Sequence, residues 1–216
     1  MPQFKVVLLK HGYATVEHER RIITEAGGEF IDADACSEAE AWRECEQADG
    51  ILVRWLKITP ERIRQFHRCK MIVRYGVGYD NVDVNAATAA GIMVGHIPAY
   101  CLDEVSTHAI ALLLGCVRNV VGKHGKVERG AWDFNPVEKL WRMAGRTLGL
   151  IGLGNIGRSV ARKMNGWGLR LLAADPYVDP SLAEALGVKL ADLDAVCREA
   201  DYLSLHVPLL PETRHL

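Results

Sequence analysis

The residues whose types and spacing most plainly could do chemistry lie in TLGLIGLGNIGRSVARKMNGWGLRLLAAD, residues 147–175. Gly152, Gly154 and Gly157 follow an apolar run (148–151) and open a segment in which Ile156, Val160 and Met164 fall on one helical face. Each glycine has a mechanical reason: the first permits a tight turn, the second lets the backbone approach a pyrophosphate, and the third lets helix and strand pack closely. A helix that starts there offers free N–H groups and a partial positive charge to a diphosphate. A second apolar run (169–174) ends at Asp175. A carboxylate at that place accepts hydrogen bonds from ribose hydroxyls and repels a 2′-phosphate, so the spacing predicts NAD rather than NADP.

Such a site must be positioned by strands and helices, and the pattern around it supplies them. Strand-like runs at 4–10, 29–35, 50–55, 71–76 and 92–97 alternate with helix-like segments. One of these helices spans 16–26 and is closed by Gly27-Gly28. Ser37 with Glu40 fits a capping box, and Thr59-Pro60-Glu61 fits a helix start with proline where its missing N–H costs nothing. Apolar strands alternating with helices predict parallel sheets covered on both faces. A single helix is expected over 104–121, followed by a stretch without clear period over 122–142. The domain boundary is placed near residues 98–101, giving domains 1–100 and 101–216.

The composition excludes several classes. With 26 Lys+Arg against 27 Asp+Glu, a net charge of −1 argues against a nucleic-acid or anionic-membrane face. No apolar run approaches the roughly 20 residues that span a bilayer, so no membrane segment is expected. The six cysteines (36, 45, 69, 101, 116, 197) form no CxxC pair and no metal-like spacing with histidine. They predict reduced thiols in a cytoplasmic protein without a metal.

Several spaced motifs then identify a family. They are Tyr75-Gly76-Val77-Gly78-Tyr79-Asp80-Asn81-Val82-Asp83, Gly91-Ile92-Met93-Val94, the helix 104–114, the Gly152–Gly157 fingerprint, and Leu205-His206-Val207-Pro208-Leu209 with Pro211-Glu212-Thr213. The chain resembles the D-isomer-specific 2-hydroxyacid dehydrogenases, the group of phosphoglycerate dehydrogenase, and also the C-terminal binding protein corepressors. The resemblance implies a flavodoxin-like substrate domain (1–100) and an incomplete Rossmann nucleotide domain (101–216), a doubly wound parallel sheet. It implies hydride transfer between a small 2-hydroxy or 2-keto acid and NAD, in a protein that is a homodimer when full length.

Residue by residue, the resemblance places the substrate carboxylate on backbone N–H groups of the loop 74–81, at Gly76, Val77 and Gly78. Glycines on each side of Val77 allow successive amides to converge on an anion, although a purely structural turn has the same composition. The resemblance puts Asn155 and Ile156 under the pyrophosphate and Asp175 on the ribose, with His206, Val207 and Pro208 closing over the adenosine side. His108 is a candidate for the nicotinamide half, against the alternative of a packed helix histidine. Arg54 is a substrate-side candidate, against a solvated surface arginine, and His96 receives no role.

Hydride transfer also needs a base for the hydroxyl proton and a fixed cation for the acid. In the family the arginine, glutamate and histidine that do this follow the stretch matching 205–216. The expectation is therefore no catalytic residue within these 216 and no turnover by them alone. The alternatives are an NAD(H)-sensing binding protein of the corepressor type or a non-functional remnant. The strand 201–207 is expected to keep one open edge, and the segments 104–121 and 122–142 are the candidate dimer contacts.

Overall fold

In the amino-terminal unit, short β-branched and leucine-rich runs alternate with helical segments, three of which start at a side-chain cap. The computed structural model describes residues 2–132 and 140–216, which divide into two units, Met1–Tyr100 and Cys101–Leu216. The first unit runs β1 (Lys5–Leu8), α1 (Glu17–Glu25), β2 (Glu29–Asp32), α2 (Glu38–Glu46), β3 (Gly50–Val53), α3 (Pro60–Ile63), β4 (Met71–Arg74), α4 (Val84–Ala89) and β5 (Met93–His96). Ser37 and Glu40 form the capping box of α2, and Thr59 caps α3 ahead of Pro60. Asp83 caps α4 by accepting from the Ala86 amide.

All strand pairs of this unit are parallel, in the order β2-β1-β3-β4-β5. That is the flavodoxin-like order. Val7, Ile51 and Ile72 are wholly buried at its centre, packed with Trp42 and Cys45. Because the strands are parallel, the loops that follow β1, β3 and β4 emerge along one carboxyl edge. Those loops carry His11, Arg54 and Gly76.

The second unit runs α5 (Leu102–Val117), α6 (Val120–Glu128), β6 (Thr147–Ile151), α7 (Asn155–Met164), β7 (Arg170–Ala174), α8 (Pro180–Ala185), β8 (Val188–Leu190), α9 (Leu193–Glu199) and β9 (Tyr202–Leu205). Its strands are again parallel, in the order β8-β7-β6-β9 among the described residues. Every residue of β6 is buried. Val160, Ala161 and Met164 of α7 pack with Leu148 and Leu150 of β6, so the helix that begins at the glycines is anchored by its apolar face.

The single helix expected over 104–121 is corrected. Asn119 takes a left-handed conformation (φ 48°, ψ 47°) and its side chain accepts from the Gly122 amide. Asparagine tolerates this region better than other non-glycine residues, so one helix ends and a new one is capped at the same residue. The two helices bend by 63° at that break. The stretch 122–142 is accordingly helical as far as Glu128, where Gly122 and Gly125 mask the period; residues 133–139 lie outside the described residues. No single helix among the described residues is long and apolar enough to cross a membrane. The strand expected over 201–207 is shorter, Tyr202–Leu205, and among the described residues it pairs only with β6.

Candidate functional site

At the carboxyl ends of β6, β7 and β9 the second unit opens a cleft of about 680 Å³. Gly152, Gly154, Asp175, His206, Val207 and Pro208 all line it. Local geometry explains why. Gly152 has φ +92°, and a Cβ there would stand 2.9 Å from both the His206 carbonyl carbon and Val207 Cγ1. The glycine turn and the end of β9 are thus in direct contact, which only a glycine permits. A Cβ on Gly157 would collide with the Gly152 carbonyl oxygen, so α7 starts as close to the turn as backbone allows. Gly154 differs from both: it is exposed, and a Cβ there would meet nothing within 4 Å.

Gly154 is the residue preceding α7, and no side chain among the described residues caps this helix. Its first amides therefore keep the unsatisfied donors and positive end that suit a diphosphate. Asn155 and Ile156 form that first turn; the Asn155 side chain meets Arg158, and Ile156 packs onto the core cluster.

Asp175 does more than face the cleft. One carboxylate oxygen accepts from the Leu153 amide at 2.7 Å, and the other from the Tyr177 and Val178 amides at 2.9 and 3.1 Å. The residue thereby ties the glycine loop to the end of β7, a role that spacing alone does not reveal. Tyr177, 87% exposed beside it, also lines the cleft. His206 shares a hydrogen bond through Nε2 with Ser204 Oγ at 2.9 Å, and burial lowers its pKa below the ordinary 6.5. Burial thus disfavours the charged form of this ring. His108 stands exposed on α5 and is not among the residues lining the cleft.

The first unit contributes a different feature. After β4 the chain turns at Gly76, and the amides of Val77 and Gly78 donate to no acceptor among the described residues. The Arg74 guanidinium lies over Gly76 so closely that any Cβ there would overlap it. Its Nε is buried with no hydrogen-bond partner among the described residues. The turn thus carries two amides and a guanidinium nitrogen that find no acceptor among the described residues; successive backbone amides of this kind suit a small anion. Arg54 is neither solvated nor free: it donates to the His11 carbonyl at 2.6 Å and is stacked between Tyr13 (4.5 Å) and Trp55 (4.1 Å).

Comparison with known proteins decides what these features belong to. Residues 110–216 match the model of the D-isomer specific 2-hydroxyacid dehydrogenase, NAD binding domain. The chain belongs to the D-isomer-specific 2-hydroxyacid dehydrogenase family. It is 38% identical over 205 residues to the D-3-phosphoglycerate dehydrogenase of Methanocaldococcus jannaschii, covering 92% of this chain and 38% of that protein. It is 34% identical over 166 residues to the glyoxylate reductase of Thermococcus litoralis, covering 74% of this chain and 50% of that protein. The chain thus spans between about a third and a half of these relatives' lengths. Among solved structures, D-lactate dehydrogenase from Aquifex aeolicus complexed with NAD and lactic acid superposes with a TM-score of 0.85. The identity there is 27%, over 97% of this chain and 62% of the other.

NAD is the cofactor of this dehydrogenase-family domain. The residues fit it: uncapped amides at α7, a glycine with open space at 154, and an apolar slot walled by Val207 and Pro208. Sequence reasoning gave His96 no role and did not single out Arg74 within the loop 74–81. Arg74 and His96 are paired across β4 and β5, and both address the Gly76–Gly78 turn. Their signal is spatial, because neighbouring strands, not sequence spacing, bring them together. A third, His11, is 3% exposed and bonds Asp32 at 3.1 Å through Nε2 while its Nδ1 accepts from the Tyr13 amide. With both ring nitrogens engaged it is a structural histidine.

Proposed function

We propose that this chain supplies the cofactor- and acid-binding parts of an NAD-dependent oxidoreductase acting between a small 2-hydroxy or 2-keto acid and NAD. The single observation that carries this reading is the cleft that unites Gly152, Gly154 and Asp175 with His206–Pro208. In this reading residues 101–216 hold the cofactor and residues 1–100 the acid. When bound, NAD supplies the hydride acceptor or donor. The start of α7 neutralises the diphosphate, Asp175 accepts from the ribose, and Val207 and Pro208 shelter the adenine. The amides of Val77 and Gly78 orient the acid's carboxylate, with Arg54 on the substrate side and His108 toward the nicotinamide.

The hydroxyl proton needs a base with a free ring nitrogen, and His11 does not offer one. The 216-residue polypeptide is expected to bind both ligands without detectable turnover. We further read the protein as a cytoplasmic homodimer, supported by six free thiols and by exposed Leu112, Val120, Val121 and Val127 along α5 and α6.

Amide NMR titrations test the reading. NADH is expected to shift the resonances of Gly152, Gly154 and Asp175, and glyoxylate or oxalate those of Val77 and Gly78. The reading fails if saturating NADH leaves the Gly152–Gly157 amides unmoved. Clear NADH oxidation with glyoxylate by the 216-residue polypeptide would overturn the binding-only expectation.

A further inference from the structure

We propose that His96 is a positioning residue that fixes the direction of the Gly78 N–H. In a trans peptide the carbonyl of one residue and the N–H of the next lie in one plane and point opposite ways, so anchoring the carbonyl aims the amide. Two such anchors come from the end of β5. The Ile97 amide donates to the Gly76 carbonyl at 3.1 Å, which sets the plane carrying the Val77 N–H. The His96 ring bonds the Val77 carbonyl through Nδ1 at 2.8 Å, which sets the plane carrying the Gly78 N–H. Those are the two amides left without an acceptor among the described residues. Gly78 has no side chain to restrict its own rotation, so without His96 the second plane is free to turn. A carbonyl only accepts, and the ring must therefore carry its proton on Nδ1. Tyr79 packs edge-on against the imidazole at 5.2 Å and holds it in that orientation.

The inference rests on the carboxylate reading of the loop for its consequence, but its geometry is tested separately. Long-range proton–nitrogen NMR at neutral pH is expected to show His96 protonated on Nδ1; an Nε2–H tautomer would overturn the proposal. With oxalate as the probe, His96→Ala is expected to weaken binding about fivefold, the worth of one net hydrogen bond. His96→Asn is expected to restore affinity to within about twofold, since an asparagine Nδ2 stands as far from the Cα as the histidine Nδ1. NADH affinity serves as the folding control and should not move in either variant. Equal oxalate affinity and an unmoved Gly78 amide resonance in His96→Ala would refute the positioning role. If the unaltered protein takes up no oxalate, the carboxylate reading fails instead. The Gly78 resonance then decides the inference alone: shifted in His96→Ala and restored in His96→Asn supports it, unshifted overturns it.

Discussion

Replacing Gly154 with alanine separates binding from folding, because this glycine is the one in the fingerprint that the protein itself leaves untouched. A Cβ there meets no atom within 4 Å, and the backbone (φ −67°, ψ −162°) suits any residue. Glycine to alanine at a compatible conformation stabilises by roughly 0.4–1 kcal/mol, and alanine is a poorer N-cap than glycine by roughly the same amount, so the two nearly cancel. Thermal unfolding should then shift by no more than a degree or two. A bound diphosphate would meet the new methyl group and be pushed off the α7 amides. Each charge-assisted hydrogen bond lost costs about 1.5–3 kcal/mol, which corresponds to a tenfold to hundredfold loss of NADH affinity. Fluorescence titration of NADH against both proteins measures this. Wild-type affinity in a folded Gly154→Ala variant would refute the placement of the diphosphate. Gly157→Ala is the contrasting case: its Cβ collides with the Gly152 carbonyl, so overpacking of about 1–3 kcal/mol should lower stability as well as affinity.

Other outcomes follow from named contacts. Asp175→Ala should relax the preference for NAD over NADP by about tenfold in paired titrations, since it removes a repelling charge. It should also weaken NAD binding itself, because the Leu153 amide loses its acceptor; a variant with unchanged selectivity would contradict the ribose assignment. For His206 the sign is set by burial, which depresses the folded pKa below 6.5. The unfolded chain then binds the proton more readily, so this stability is complete above pH 6.5 and is lost as pH falls through the folded value. Unfolding measured at pH 7.5 and 5.5 should show a smaller acid loss in His206→Gln than in the unaltered protein, and equal losses would contradict this. Finally, among the described residues β9 is paired on one side only, and it exposes Leu203 (44%) and Leu205 (58%), a template for self-association. Light scattering should find association that Leu203→Lys with Leu205→Lys reduces; a monomeric unaltered protein would refute the edge argument.

What could be read from the sequence, and what could not, divides along the range of the interactions. The strand–glycine–helix–aspartate unit is local, so Gly152, Gly154 and Asp175 were legible from spacing, as was the capping box at Ser37. The break at Asn119 was not, because helical periodicity continues through a residue whose left-handed conformation is a tertiary outcome. The short helices α4, α8 and α9 hold only six or seven residues each, too few to show a period. Arg54, Arg74 and His96 depended on which strands lie side by side, and their stacking and hydrogen bonds appear only once β3, β4 and β5 are in register.

The central claim, that the second unit is an NAD site whose selectivity Asp175 sets, is tested most directly by calorimetric titration of the purified protein with NAD and with NADP. The account predicts one NAD bound per chain and an affinity for NADP at least about tenfold weaker, the effect of a like charge placed against the 2′-phosphate. Failure to bind NAD, or equal or tighter binding of NADP, would contradict it.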